Sequence, residues 1–367
     1  MPASSDLNLI SLASGYGSFS LPEPVAQQVQ RALTRLPLPT SPAEGLPELR
    51  QALAHRYQAQ AATVVPGDIV VTPGTKAALF LLLATVLRPG DEVLLLSPNW
   101  FGFAELIRQA GATLRELPLH PADNYQISPD AVQAAIGPRT RLLLFTNPNN
   151  PTGRVYTRPE LAALLAVTQQ HPQLLVLADE IYDGIRFGPE PVPTLLSFPD
   201  PLGQHLVVNG FSKSLALLGW NIGYLVAPSA VAQACTARQF ATGGAVAALS
   251  QLAALAATEA TTDITQELHT GLLTNRQLLL DFLATLPGAL PALPLGTYYA
   301  FPDLRAFLDP ALAPEQASAD LVARLHAAGV AVVDGATCGA PGFVRLSYAV
   351  PEAELREAIR RMAQVLR

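Results

Sequence analysis

Seven short runs between residues 69 and 226 constrain this chain more than anything else in it: Ile69–Thr72, Glu92–Leu96, Thr113–Leu117, Arg141–Phe145, Leu174–Ala178, Leu206–Val208 and Ile222–Val226. Most are apolar without alternation. A strand with one wet face alternates apolar and polar side chains, so a strand that is apolar at every position has both faces covered. Helix-like stretches separate the runs, among them Glu48–Gln60 and the apolar Lys76–Leu87. The pattern predicts a mostly parallel sheet between two helical layers, a three-layer α/β/α domain. Prolines cluster between elements, at 37–47, 118–121, 148–151 and 189–201. After about residue 250 the texture changes to a long helical stretch, Leu252–Leu286, short strands near Tyr298–Pro302 and Phe343–Ser347, and a terminal helix Glu352–Leu366. This reads as a smaller α+β domain. The expected division is 45–260 for the large domain, with 1–44 and 261–367 forming the small one.

Composition narrows the function classes. With 367 residues, 50% hydrophobic and 14% charged, the chain can bury enough apolar surface to offset its conformational entropy, which excludes disorder as its main state. Lys and Arg total 23 against 29 Asp and Glu, and no run of like charge builds a basic patch, so no nucleic-acid partner is expected. The longest apolar stretch, Ala77–Leu87, is about half a membrane span, and a buried helix is the better reading. The N-terminus does not read as a signal peptide, and the two cysteines, Cys235 and Cys338, match neither a disulfide framework nor a metal spacing. A cytoplasmic protein without a metal or membrane partner is expected.

Four segments can carry chemistry. Thr72-Pro73-Gly74-Thr75-Lys76 is a strand end and a small-residue turn opening a helix, where free backbone N–H groups can receive a phosphate. Thr146-Asn147-Pro148-Asn149-Asn150-Pro151-Thr152-Gly153 is a loop beyond the carboxyl end of a strand, the usual ligand side of an α/β sheet. Ala178-Asp179-Glu180-Ile181-Tyr182 puts an acid at the end of a buried strand, half desolvated and in need of a cationic partner. Asn209-Gly210-Phe211-Ser212-Lys213-Ser214 places a lysine after another buried strand, with small neighbours rather than charges. A partly desolvated amine of this kind can form Schiff bases. The basic residues are 21 arginines and only two lysines, Lys76 and Lys213, so any lysine chemistry has two candidates. Each segment also has an ordinary structural explanation as a cap, turn or surface loop.

Their order decides between these readings. Asn-Asn-Pro-Thr-Gly, Ala-Asp-Glu-Ile-Tyr, Ser212-Lys213-Ser214 followed after four residues by Gly219-Trp220-Asn221-Ile222-Gly223-Tyr224, and finally Val344-Arg345-Leu346-Ser347-Tyr348-Ala349 resemble, together and in this succession, the class I/II aminotransferases, fold-type I enzymes dependent on pyridoxal 5′-phosphate. The likeness runs from Ser14-Gly15 to the terminal helix. It implies that Lys213 is the lysine of the internal aldimine and the catalytic proton carrier, and that Asp179 pairs with the pyridine nitrogen. It implies that Tyr182 and Asn150 donate to the phenolic oxygen, that Trp100 stacks on the ring, and that Gly74, Thr75, Lys76 and Ser212 surround the phosphate. Arg345, with Gly15 and Asn150 nearby, would hold the substrate α-carboxylate, a bidentate contact suited to a guanidinium. A homodimer with shared active sites is the family expectation.

Three positions depart from the family pattern. Asn221 stands where an arginine usually binds the phosphate, Gly210 where a serine is frequent, and Thr40 where a partner-subunit tyrosine is usual. These predict a less cationic phosphate site. Amino and oxo acids are the implied substrates, transferred in two half-reactions, while a lyase, cyclase or racemase of the same fold uses nearly the same residues and stays open, as does a non-catalytic cofactor-binding protein. No second arginine is assignable to a side-chain carboxylate, and Tyr16, Phe19 and Phe101 lean towards an apolar or aromatic donor.

Overall fold

The computed structural model describes residues 8–34 and 37–367. In chain order its elements are β1 (Ile10–Ser11), α1 (Glu23–Thr34), α2 (Pro47–Gln58), β2 (Ile69–Thr72), α3 (Thr75–Val86), β3 (Glu92–Ser97), α4 (Gly102–Gln109), β4 (Thr113–Pro118), α5 (Pro129–Ala135), β5 (Thr140–Thr146), α6 (Arg158–Thr168), β6 (Leu175–Asp179), β7 (His205–Gly210) and β8 (Gly223–Val226). There follow α7 (Ser229–Thr242), α8 (Ala248–Glu259), α9 (Thr261–Ala284), β9 (Tyr299–Ala300), α10 (Pro314–Ala327), β10 (Val330–Ala331), β11 (Val333–Asp334), β12 (Val344–Ser347) and α11 (Glu352–Val365).

All seven runs become strands of one sheet, in the order β2-β8-β7-β6-β5-β3-β4. Only β8 runs antiparallel to its neighbours. The lack of alternation has the expected cause. Leu94, Leu96, Leu143, Phe145, Val176 and Val207 face one apolar core, while Val93, Leu95, Leu142, Leu144, Leu177 and Val208 face a second core across the sheet. Strand β4 is the exception: its side chains are exposed or half-buried, because it lies at the sheet edge and carries Arg115 and Glu116.

A third core gathers α9, α10, α11 and the short strands, and it includes Ile181, Tyr182 and Ile185 from just beyond β6. The N-terminal segment returns to this part through β1, which pairs in parallel with β10, and through Leu12. Residues 1–44 do not all follow: α1 lies against α8, and its Val25 shares a core with Leu49, Leu53 and Ala253 of the sheet's helical layer. The single helical stretch expected over Leu252–Leu286 is two helices, α8 and α9. The break is at Ala260 (φ −96°, ψ 18°), where the Thr261 hydroxyl donates to Thr258 O at 2.7 Å and closes the end of α8.

Register brings the motifs to one edge. Thr146 pairs with Asp179, Asp179 with Val208, Gly210 with Gly223, and Gly223 with Thr72, so the ends of β2, β5, β6 and β7 and the start of β8 lie side by side. Ligands bind at this carboxyl edge in open α/β sheets.

Candidate active site

A cleft of about 740 Å³ opens at that edge, between the sheet and the third core. Every residue singled out from the motifs lines it: Gly15, Gly74, Thr75, Lys76, Trp100, Asn150, Asp179, Tyr182, Ser212, Lys213 and Arg345. Of the three aromatics, Tyr16 and Phe101 line it too. Phe19 is the correction, for its ring packs beside Tyr298, 5.9 Å between centroids, against the neighbouring cores. Thr40 is exposed and does not line the cleft.

The turn before α3 is built by close backbone approach. Gly74 has φ +90°, open to glycine at little cost, and it caps α3 so that the first N–H groups of the helix face the cleft. A Cβ on Gly223 would lie 2.6 Å from Thr75 N, and one on Gly210 would lie 2.3 Å from Thr75 Oγ1. The absence of a serine at 210 therefore has a steric reason: the Thr75 hydroxyl, which donates to Asn209 O at 3.3 Å, occupies that space. Asn221 has φ +48°, a left-handed conformation that asparagine tolerates better than arginine, and its amide oxygen lies against Gly74.

Asp179 ends β6, only 6% exposed, with Oδ1 accepting from Ile181 N at 3.2 Å. Burial pushes its carboxyl up to about 7, against the opposing pull of that backbone N–H and of Lys213. Lys213 follows β7, donates from Nζ to Gly15 O at 2.5 Å and lies 4.3 Å from the centroid of the Tyr16 ring. Burial, then the positive charges of Arg345 and Lys76, lower its amine to about 8, with Asp179 opposing. A neutral amine is the nucleophilic form, and lowering the amine towards neutrality enlarges the share of that form.

Arg345 projects from β12 into the opposite wall, 3% exposed. Its Nη1 donates to Asn150 Oδ1 at 3.1 Å and its Nη2 to Ala13 O at 3.0 Å, while Nε is buried without a partner. The bond to Oδ1 leaves the Asn150 NH₂ group free to donate elsewhere. Trp100 follows β3, packed edge-to-face on Phe103 at 5.2 Å, with Lys76 Nζ 5.4 Å from its ring centroid.

Sequence reasoning missed Tyr299. Its ring lies 4.3 Å beneath the Arg345 guanidinium, and its hydroxyl is 3.0 Å from that of Tyr182. The signal was the pair Tyr298-Tyr299 inside an apolar strand, since buried phenols need partners.

Residues 8–362 match the family model described as aminotransferase class I and II. The chain belongs to the class I and II aminotransferases. It is 37% identical over 364 residues to the aspartate/prephenate aminotransferase of Thermus thermophilus, covering 98% of this chain and 91% of that protein. It is 30% identical to the aspartate aminotransferase of Geobacillus stearothermophilus, covering 97% and 90% of the two chains. Among solved structures, the Thermus thermophilus aspartate aminotransferase with maleate superposes with a TM-score of 0.90 at 35% identity, covering 98% of this chain and 92% of that one. The fold is fold-type I, and the enzyme is an aminotransferase that acts on amino and oxo acids. Pyridoxal 5′-phosphate is the cofactor this family implies. Among the described residues, no helix is long and apolar enough to cross a membrane.

Proposed function

We propose that this aminotransferase binds pyridoxal 5′-phosphate in the cleft at the carboxyl edge of the sheet, with Lys213 and Asp179 as its two anchors. One observation carries this: a buried acid and a buried amine line the same cleft, and neither forms an ion pair among the described residues. Unpaired buried ionisable groups destabilise a fold, and persist where a ligand completes them. The residues present fit the group. Asp179 is the carboxylate for a protonated ring nitrogen, the Asn150 amide and Tyr182 hydroxyl are donors for a phenolic oxygen, Trp100 is a stacking face, and Gly74, Thr75 and Ser212 are placed at the first turn of α3 for a phosphate, while the Lys76 ammonium, expected from the sequence at the phosphate, is assigned here to the substrate.

When bound, the cofactor supplies an electron sink conjugated to the substrate nitrogen. Asp179 keeps that sink cationic. Lys213 Nζ would hold the cofactor at its aldehyde carbon and, when not so engaged, is the amine placed to move the proton at the substrate α-carbon. Arg345 uses its remaining N–H groups to grip the α-carboxylate, with Asn150 and the Ala13 carbonyl fixing the angle of the fork. The Tyr16 and Phe101 side chains, at the cleft mouth, exclude water from the reacting carbon. The two-domain division and a homodimer belong to the same reading; size-exclusion chromatography with light scattering tests the latter.

The relatives' names point to the substrate. Aspartate and prephenate each carry two carboxylates, and Arg345 accounts for one. Lys76 is a second cation of the cleft and forms no ion pair among the described residues, so a dicarboxylic partner facing the Lys76 ammonium is the substrate class proposed here. A half-reaction screen, read as loss of the visible absorption band on adding each amino acid, tests it. Aspartate should discharge the band at lower concentration than phenylalanine, and Lys76→Met should erase that preference. Lys213→Ala should lose both the band and turnover; a variant that kept either would overturn the assignment.

A further inference from the structure

The reading above gives Tyr182 one hydroxyl proton and one task, to donate it to the cofactor's phenolic oxygen. A phenol that donates its only proton can meet another hydroxyl only by accepting. The Tyr299 hydroxyl is 3.0 Å away. The other nearby phenol, Tyr298, is committed elsewhere, since its hydroxyl donates to Gly15 O at 2.8 Å. Tyr299 is therefore the donor in this pair. The same side chain supports the carboxylate fork, because the Arg345 guanidinium lies 4.3 Å over its ring, with Nη1 and Nη2 tied to Asn150 and Ala13 on either side. The two functions sit on separable parts of Tyr299, hydroxyl and ring face.

We propose that Tyr299 is a positioning residue with two separable actions: its hydroxyl donates to Tyr182 and strengthens that residue's own donation, and its ring holds Arg345 at the angle that receives the substrate carboxylate. The first action rests on the proposed placement of Tyr182 against the phenolic oxygen; the second does not. Hydrogen bonds in a chain polarise one another, so a donor behind Tyr182 makes it a stronger donor in front. Donation to the phenolic oxygen favours the form in which that oxygen's negative charge is not already neutralised by a proton nearby. Losing part of the donation therefore raises the pH at which the visible band titrates.

The test uses the holoenzyme and four variants, Tyr299→Phe, Tyr299→Leu, Tyr182→Phe and the double phenylalanine variant. The pH titration of the visible band is the main readout, with KM for the amino acid as the second. Tyr299→Phe should move the titration midpoint up by about half a unit and leave KM within about twofold, because the ring stays. Tyr299→Leu should move the midpoint equally and also raise KM by about fivefold or more, because the cation loses its aromatic face. Tyr182→Phe should move the midpoint further than Tyr299→Phe, and adding Tyr299→Phe to it should add nothing, since Tyr299 acts through Tyr182. A wild-type midpoint in Tyr299→Phe beside a shifted one in Tyr182→Phe overturns the relay and leaves the placement of Tyr182 standing. Unshifted midpoints in both overturn that placement together with the relay. Additive midpoints would show that Tyr299 acts independently and also refute the relay. Equal KM values for the phenylalanine and leucine variants would refute the support of Arg345.

Discussion

Asp179→Asn separates stability from chemistry at one atom. In the cofactor-free protein, burial raises the Asp179 carboxyl from the ordinary 3.8 to about 7. An acid whose folded value lies above its unfolded value holds its proton more tightly when folded. Its contribution is fully present below pH 3.8 and is lost as pH rises through about 7, because the unfolded chain ionises without the desolvation cost. At 1.36 kcal/mol per unit, the cost above pH 7 approaches about 4 kcal/mol, and about 2–4 kcal/mol is a realistic range once water and side chains relax around the charge. Asparagine has the same shape, keeps an oxygen for the Ile181 N–H and cannot ionise. For a chain of 367 residues the unfolding entropy is about 0.8 kcal/mol per degree, so the gain is about 3–5 °C in Tm at pH 8. Thermal unfolding of both proteins without cofactor, from pH 4 to 8.5, measures it. The difference should be near zero at pH 4 and grow through pH 7. With cofactor added the order should reverse, since only the carboxylate pairs with a cationic ring nitrogen, and turnover should fall by about 10²–10⁴-fold. A Tm gain independent of pH, or a variant less stable than wild type at pH 8, would refute the reasoning.

Three further changes probe other walls of the cleft. Arg345→Lys keeps the charge but loses the planar fork and its bonds to Asn150 and Ala13, so kcat/KM should fall by about 10²-fold through KM and kcat together, measured by steady-state kinetics. Asn221→Arg adds a charge-assisted phosphate contact of about 1.5–3 kcal/mol less about 1 kcal/mol for the left-handed backbone; cofactor titration should show affinity rising by about 2- to 30-fold, and no gain would mean the phosphate does not lie near residue 221. Gly210→Ala forces a Cβ onto the Thr75 hydroxyl and should destabilise the protein by about 1–3 kcal/mol in urea unfolding, with Thr75→Gly in the same chain restoring part of the loss.

The layered sheet was legible because burial on both faces leaves a mark that no loop or surface helix imitates, and all seven runs became its strands. The break at Ala260 was not legible, since neither Pro nor Gly marks it and the threonines that close α8 are ordinary helix residues in a composition reading. That these eleven residues converge on one cleft was legible through motif order alone, for no single segment separated a ligand loop from a cap. What sequence could not give was distance in the third dimension. Tyr299 lies 117 positions from Tyr182, yet their hydroxyls meet at 3.0 Å, because the segment beyond β6 that carries Tyr182 packs into the same apolar core as β9.

The same geometry brings residues 10–16, which have little secondary structure beyond β1, to the cleft. Strand β1 fixes one end of this segment to β10, and from there Ala13 O accepts from Arg345, Gly15 O accepts from both Lys213 and Tyr298, and the Tyr16 ring faces the Lys213 ammonium. Carbonyl oxygens at the mouth of a cleft with three cations have a defined electrostatic role. Ala13 O and Gly15 O each offset a positive charge, and on the reading proposed above a ligand would replace part of those contacts. On the same reading, covalent loading would use up the Nζ hydrogen that now goes to Gly15 O, so loading the lysine would also release the Gly15 carbonyl.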